Sequence, residues 1–135
     1  MAAAPSTEEI REQILSTAKM HFARYGFEGA SLKNIAKDAK VANSLINYHF
    51  KDKENLFKCC IEDNALVRME TATRTFHDPK SKEEVRVRLE MFANEMILSI
   101  LKDPYDFEIM QREMMVGNKI AKKLFVETYF KAFKA

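Results

Sequence analysis

The sequence predicts an all-α protein, and three observations support that prediction. Apolar residues recur every three or four positions along most of the chain, which is the period of a helix buried on one side. No stretch shows the strict alternation that is typical of a half-buried β-strand. The three glycines and three prolines fall almost entirely between the periodic stretches, where helices begin or end.

The first long helix has clear start and stop signals. Ser6 and Glu9 have the spacing of a capping box, in which each side chain accepts a free backbone N–H at the start of a helix. Gly26 predicts the end of this helix, because glycine readily adopts the left-handed conformation that terminates helices. Its apolar face is formed by Ile10, Ile14, Ala18 and Phe22.

Two short helices and a longer one follow. Ser31 is placed to cap the second helix, whose apolar residues are Leu32, Ile35, Ala36 and Ala39. A brief connection, Lys40 to Ala42, leads to a third helix that begins near Asn43. Asp52 then predicts the start of a fourth helix that runs through about residue 77 and stops before Pro79.

The C-terminal half predicts three more helices. Ser81 and Glu84 form a second capping box, and Pro104 is expected at the first position of the sixth helix. Gly117 ends that helix and Asn118 caps the seventh. One face of the fifth helix is apolar and consists of Val85, Leu89, Phe92, Met96 and Ile100.

Composition narrows the class of protein. At 135 residues, with 47% hydrophobic and 31% charged residues, the chain has the size and composition of one soluble domain or two lobes that share a core. No apolar run approaches the roughly 20 residues of a membrane span, and no signal peptide is recognisable. Cys59 and Cys60 are adjacent and poorly placed for a disulfide. We therefore expect a cytoplasmic protein with reduced thiols and with neither metal nor cofactor.

The charge distribution permits nucleic acid as a partner. The net charge is only +2, but residues 24–53 carry six basic residues and three acidic ones. Such a small excess also occurs on solvated helices, so charge alone does not establish DNA binding. Enzymatic motifs are absent from the sequence: it has no Gly-rich phosphate loop, no evident nucleophile–base pair and no H-E-x-x-H pattern. We therefore expect that the protein is not an enzyme.

The third helix is two-faced, as a DNA-reading helix must be. The order of a long helix, a short helix, a tight turn and a short helix is that of a helix-turn-helix, whose last helix enters the major groove. At about 100° per residue, Asn43, Ser44, Asn47 and Tyr48 fall within an arc of about 140°, with the apolar side chains on the remainder. Asn pairs bidentately with adenine and Ser contacts several bases, so the sequence predicts Asn43, Ser44 and Asn47 as base readers.

The sequence predicts that three further residues of this region contact the DNA backbone. Tyr48 and His49 lie toward the end of the third helix, where a hydroxyl and a ring N–H can reach phosphate oxygens. Lys53 lies in the first turn of the fourth helix, where a cation opposes the helix dipole. A bound phosphate would explain a lysine at that position. On periodicity alone, packing is the favoured role of Tyr48 and His49, ahead of DNA contact.

The stretch "FARYGFEGASLKNIAKDAKVANSLINYHFKDKENLF" closely resembles the TetR family of bacterial one-component transcriptional regulators, and the resemblance runs from about Ile14 to Ile61. It implies a three-helix DNA-binding domain at residues 1–51 and a helical regulatory and dimerisation domain at 52–135. It implies base reading by Asn43, Ser44 and Asn47. Its implied backbone contacts are Ser31, Lys33, Tyr48, His49 and Lys53.

The resemblance has departures with physical consequences. Lys40 stands where the family usually has glycine, and Ala42 stands where it has a capping Ser or Thr. Losing that cap costs about 1 kcal/mol unless Asn43 caps instead, which would occupy the side chain predicted to read a base. The family is also usually longer, with its dimer formed by C-terminal helices. Either this chain is a truncated member or fragment, or its seventh helix takes over the pairing.

The methionine-rich second half has two interpretations. Core packing is the simpler one, because Met is a flexible filler. With the resemblance in view, a pocket for a small hydrophobic inducer among helices four to seven stands level with it, and the candidate lining residues are Met69, Phe92, Met96, Met110 and Met114. The sequence thus predicts a ligand-responsive repressor that binds double-stranded DNA as a homodimer. The alternatives are a protein-interaction module that keeps the helix-turn-helix without binding DNA, and, less favoured, a small-molecule carrier.

Overall fold

A computed structural model describes residues 3–75 and 77–134, without the side chains of 64–69 and 128–134. The described residues form seven α-helices and no strand, which confirms the all-α prediction. The helices are α1 (Thr7–Gly29), α2 (Leu32–Asp38), α3 (Asn43–Phe50), α4 (Lys53–Thr75), α5 (Lys82–Lys102), α6 (Tyr105–Val116) and α7 (Lys119–Lys134). We refer to α1–α3 as the head and to α4–α7 as the body.

The predicted caps of α1, α2 and α4 are confirmed. The Glu9 carboxylate accepts the Ser6 N–H at 2.6 Å and the Ser6 hydroxyl accepts the Glu9 N–H at 3.2 Å, completing the capping box. Ser31 Oγ accepts the N–H of Asn34 at 3.3 Å. Asp52 Oδ1 accepts the N–H of Asn55 at 2.8 Å and so caps α4. Helix α4 is described as far as Thr75, and residue 76 of its predicted end lies outside the described residues.

The later helix boundaries differ from the prediction in two details. The Glu84 carboxylate accepts the N–H of Lys80 rather than that of Ser81, so the second capping box is only half formed. Pro104 lies at the N-cap of α6 instead of its first helical position, with Asp103 Oδ1 accepting the N–H of Tyr105 at 3.2 Å.

The sixth and seventh helices otherwise meet as the sequence predicts. Gly117 ends α6 in the left-handed region, with φ of 76°. Asn118 Oδ1 caps α7 by accepting the N–H of Ile120 at 2.9 Å. The residue types at this junction therefore account for both the end of one helix and the start of the next.

The buried residues form one cluster that runs from the head into the body. The predicted α1 face contributes Ile14, Ala18 and Phe22, and Phe22 packs edge-on against Phe57 of α4 at a centroid distance of 5.0 Å. Ile109 of α6 belongs to the same cluster. The core therefore crosses the sequence boundary between residues 51 and 52, and the two lobes share one interior.

Helix α5 lies at the edge of this core. None of its residues is buried, although Phe92, Met96 and Ile100 of its predicted apolar face are half-buried. Large apolar side chains point to solvent from its other positions, including Leu98 and Leu101, the latter 75% exposed. Within the described ranges no helix has both the length and the apolarity needed to cross a membrane.

Candidate nucleic-acid interface

The turn between α2 and α3 holds a strained residue. Lys40 has φ of 56°, in the left-handed region that side chains with a Cβ disfavour. The turn is closed by the Val41 N–H, which donates to the Ala36 carbonyl at 3.0 Å. A glycine would take up this backbone conformation without a steric cost, which explains why a lysine here is a departure from the expected pattern.

Helix α3 starts without a side-chain cap. Ala42 is the N-cap residue, and Asn43 is the first helical residue rather than a substitute cap. The Asn43 side chain is exposed, and no described residue hydrogen-bonds to it. The alternative in which capping occupies Asn43 is therefore wrong, and its amide is accessible to a base.

The two faces of α3 are separated as the helical wheel predicts. Ile46 and Phe50 are fully buried and Leu45 is half-buried against the core, so the helix is held firmly on one side. The opposite side is turned to solvent, and Tyr48 is 76% exposed. The exposed polar residues, which we call the outer face of α3, are Asn43, Ser44, Asn47 and Tyr48.

Of the residues predicted to contact the DNA backbone, Ser31, Lys33 and His49 differ in their accessibility. Lys33 is exposed, whereas Ser31 is half-buried and its hydroxyl oxygen already accepts the N–H of Asn34. The Ser31 O–H remains able to donate. His49 is half-buried, with its ring centroid 5.0 Å from that of Tyr48.

Lys53 has intramolecular partners that the sequence did not reveal. Its ammonium lies 4.7 Å from the centroid of the Phe27 ring and 3.4 Å from the Glu28 carbonyl oxygen, at the end of α1. A cation–π contact and a helix C-terminal carbonyl both favour a positive charge here. A bound phosphate is thus not required to explain this lysine, and its contact with DNA stays a prediction.

Helix α1 is tied to α2 by two side-chain contacts. His21, only 4% exposed, pairs with Asp38 through Nε2 and Oδ2 at 2.7 Å. Gln13 Nε2 donates to the Ala39 carbonyl at 2.8 Å and so satisfies the end of α2. These contacts join residues 17 and 26 positions apart, which no local pattern could indicate. They make the head a rigid support for α3.

The candidate pocket residues are only partly brought together. Phe92, Met96 and Met110 are half-buried, and Met114 is 44% exposed. The side chain of Met69 lies outside the described residues. Two clefts of about 640 and 400 Å³ occur elsewhere and are lined by none of these five residues.

The larger cleft lies between α1, α4 and the α5–α6 connection and contains a buried lysine. Lys19 Nζ lies 3.1 Å from Asp63 Oδ2. Burial by itself lowers the pKa of Lys19, but the carboxylates of Asp106 and Asp63 outweigh it, and the pKa is raised. Lys19 is therefore a charged link between α1 and α4.

The two cysteines are not poised for reaction. Burial raises the pKa of the Cys60 thiol well above its ordinary value, despite the nearby Lys19. Burial also raises the pKa of Cys59, which is half-buried. Both groups are therefore neutral thiols near pH 7.

Comparisons with known proteins agree with this architecture. Residues 14–60 match the family described as bacterial regulatory proteins, tetR family. Over 100 residues the chain is 29% identical to the HTH-type transcriptional repressor AcnR of Corynebacterium glutamicum, covering 67% of this chain and 53% of that protein. Over 50 residues it is 44% identical to the HTH-type transcriptional regulator AcrR of Shigella flexneri, covering 37% of this chain and 23% of that protein.

A solved structure extends the likeness into the body. The crystal structure of an HlyIIR mutant protein superposes with a TM-score of 0.72 at 25% identity, covering 96% of this chain and 68% of that one. The chain spans about half the length of the curated AcnR protein that it matches. AcnR and AcrR are named as transcriptional regulators, in agreement with the expectation that the chain is not an enzyme. Residues 14–60 of this chain are thus similar to the tetR family of bacterial regulatory proteins, and the fold of the chain is similar to that of the HlyIIR mutant protein.

Proposed function

We propose that this protein is a sequence-specific DNA-binding transcriptional repressor that acts in the bacterial cytoplasm, where its DNA-bound form is associated with the nucleoid. The outer face of α3 is the observation that carries the proposal. Four side chains with hydrogen-bonding groups project from a short helix whose other side is locked into the core by Ile46 and Phe50. A rigid helix with an exposed polar face is what major-groove readout requires, because the donors and acceptors must be held in register with the base edges.

Each exposed group of this face has a distinct role in the proposal. Asn43, Ser44 and Asn47 contact base edges in the major groove. Tyr48, at the end of the face, donates its phenol hydroxyl to a phosphate, and His49 does so through its ring N–H. The remaining phosphate contacts come from Lys33 and Lys53 and from the Ser31 hydroxyl.

We propose a dimer because a single α3 is too short to recognise a whole DNA site. One α3 contacts too few base pairs to select a single site in a genome, and a twofold dimer doubles the contact with a pseudo-palindromic site. The two α3 helices would then lie about 34 Å apart, or a multiple of that spacing, to enter successive major-groove turns.

The body is the proposed regulatory part. In this division residues 1–51 bind DNA and residues 52–135 dimerise and respond to a small hydrophobic inducer. The half-buried Phe92, Met96 and Met110 support such a site, since flexible apolar side chains adapt to an apolar ligand. Regulation requires that the ligand bind the DNA-competent and incompetent states with different affinity.

A second candidate is a protein-interaction module in which the head does not bind DNA. The observation that favours it is the apolar surface of α5 and α6, where Leu98, Leu101, Met115 and Val116 are each more than half exposed. Exposed apolar patches of this kind often mark protein interfaces. In this alternative a partner protein covers α5 and the outer face of α3 has no nucleic-acid ligand.

Fluorescence anisotropy separates the two candidates. The protein is titrated into labelled DNA from beside its own gene and into unrelated DNA, at two salt concentrations, with Asn47→Ala as the variant. The repressor predicts salt-sensitive binding with a preference that Asn47→Ala reduces by about 1–3 kcal/mol. Equally weak binding of both proteins to every DNA would favour the interaction module.

A further inference from the structure

The helical backbone of α1 is interrupted at Gly26, near its C-terminal end. Side chains of α6 hydrogen-bond to the backbone groups on either side of this interruption. Gly26 has φ of 74° and ψ of 173°, which are not helical values. In an uninterrupted helix the Phe27 N–H would donate to the Ala23 carbonyl oxygen. Both of these groups instead find partners on two consecutive residues of α6.

The two halves of the interrupted hydrogen bond are satisfied separately. The Phe27 N–H donates to Glu113 Oε1 at 2.7 Å. Arg112 Nε donates to the Ala23 carbonyl at 3.1 Å, and Arg112 Nη2 donates to the next carbonyl, that of Arg24, at 3.1 Å. We call these three contacts the α1 clamp. They pair a carboxylate with a backbone N–H and a guanidinium with backbone carbonyls, the favourable charge in each case.

Glu113 is held in place from its other side. It is 3% exposed, and its second oxygen, Oε2, accepts from Asn118 Nδ2 at 2.7 Å. The absence of a side chain at position 26 permits the approach, because a Cβ there would lie 3.2 Å from Glu113 Oε1 and 3.3 Å from the Arg112 Cδ. The clamp therefore joins a fixed point of α6 to a fixed point of α1.

Movement at the clamp would reach the recognition helix. Helix α1 is coupled to α2 by the His21–Asp38 and Gln13–Ala39 contacts, and the α2–α3 turn is closed by a backbone hydrogen bond. A displacement of α6 must either break charge-assisted hydrogen bonds with α1 or carry α1, and with it α3, along. Glu113 is buried, so water could not replace the Phe27 N–H if that hydrogen bond broke. Moving α1 together with α6 therefore costs less free energy than breaking the hydrogen bond.

We infer that Arg112 and Glu113 are positioning residues through which α6 sets the orientation of the DNA-reading head relative to the body. The inference rests on the proposed function, since it concerns how DNA binding is regulated, but its structural part can be tested without DNA. Arg112 and Glu113 themselves touch no base or phosphate in this scheme. They act only through α1.

The primary experiment measures head orientation by electron paramagnetic resonance. Spin labels are placed at Lys37 of α2 and Glu95 of α5, both exposed, through a ketone-bearing amino acid that leaves the cysteines unlabelled. The variants are Arg112→Met and the double variant Arg112→Met with Glu113→Leu. Arg112→Lys serves as the partial rescue, because an ammonium keeps the charge and can still donate to a carbonyl of α1, although it lacks the planar fork of the guanidinium.

The chain offers a matched control at the other end of the body. Arg88 donates to the carbonyls of Thr75 and His77 and forms an ion pair with Glu84. As in the α1 clamp, an arginine next to a glutamate thus binds backbone carbonyls near the end of another helix. The double variant Arg88→Met with Glu84→Leu removes a comparable set of contacts that does not involve the head. Thermal unfolding of every variant identifies any that fails to fold.

The inference predicts that the label-to-label distance distribution shifts or broadens in the Arg112 variants, recovers in part in Arg112→Lys and is unchanged in the Arg88 control. An unchanged distribution in a folded Arg112→Met protein, or an equal change in the control, would overturn it. If Arg112→Met with Glu113→Leu does not fold, the comparison of Arg112→Met with Arg112→Lys tests the inference.

Anisotropy on DNA then tests the link to function. Arg112→Met should weaken binding to the preferred site about fivefold or more while leaving non-specific binding and its salt slope unchanged, because no phosphate contact is lost. If the wild type binds no DNA, the proposed function fails while the distance measurement still decides the clamp. If the wild type binds DNA and Arg112→Met binds with the same preference, the regulatory part of the inference fails.

Discussion

His21 Nε2 lies 2.7 Å from Asp38 Oδ2, and this contact joins the middle of α1 to the end of α2. The imidazole is almost fully buried, whereas the carboxylate is half exposed to solvent. The pair thus satisfies a polar ring inside the head with a group that itself stays hydrated, an arrangement that avoids the cost of burying two charges. It also fixes the angle between α1 and α2 and so supports α3.

Removing this contact should destabilise the head. Asp38→Ala leaves a buried ring N–H without its acceptor, and we expect the free energy of unfolding to fall by about 1 kcal/mol. The loss is moderated because a negative charge near a helix C-terminus is itself slightly unfavourable. Urea unfolding measures the change, and Glu12→Gln, which removes a surface carboxylate paired with Arg11, is the control expected to change little. Equal effects in both variants would argue against a structural role for the pair.

Replacing the strained residue of the turn should stabilise the protein. Lys40→Gly removes the steric cost of a left-handed backbone at φ of 56°. The greater freedom of glycine in the unfolded chain offsets part of that gain, and we expect a net increase of about 0.5–1 kcal/mol. Lys37→Gly, in the last turn of α2, has the opposite expectation, because glycine within a helix is destabilising. Thermal unfolding distinguishes the two, and a loss of stability in Lys40→Gly would contradict the strain argument.

Lys53 should affect both stability and DNA binding, and the two effects can be separated. Lys53→Met keeps much of the apolar stem over Phe27 but loses the cation–π contact, so we expect stability to fall by about 0.5–1 kcal/mol. If Lys53 also contacts a phosphate, the salt slope of DNA binding should decrease by about one unit per half-site. Lys58→Met, on the exposed side of α4, is the control. An unchanged slope with reduced stability would leave Lys53 a purely structural residue.

The ion pair of Lys19 predicts a dependence of stability on alkaline pH. Its folded-state pKa is raised above the ordinary value of 10.5 by the carboxylates of Asp106 and Asp63, against the opposing effect of burial. A raised pKa means that the stabilisation is fully present below the unfolded pKa and is lost as the pH rises through the folded pKa. Urea unfolding at pH 8, 10 and 11.5 should therefore show a loss above about pH 10.5 that is smaller in Asp63→Asn. An identical alkaline loss in that variant would refute the assignment to this pair.

The local features of the fold follow from the sequence because they depend on neighbours in the chain. The Ser6–Glu9 capping box, the caps at Ser31 and Asn118 and the end of α6 at Gly117 involve residues no more than four positions apart. The two faces of α3 also follow, since helical geometry alone separates Ile46 and Phe50 from Asn43 and Asn47. The residues predicted to read DNA are accordingly the ones that the structure exposes.

Contacts between distant residues were decided only by the tertiary structure. The pairing of His21 with Asp38, the position of Lys53 over Phe27 and the α1 clamp formed by Arg112 and Glu113 depend on how helices cross. No local pattern of the sequence indicates the contacts of Arg112 and Glu113, because charged side chains on an amphipathic helix are usually solvated. The helix-turn-helix could therefore be predicted from periodicity and capping. Its attachment to the body could not, because the choice of partner for a buried polar group is made by packing across the whole chain.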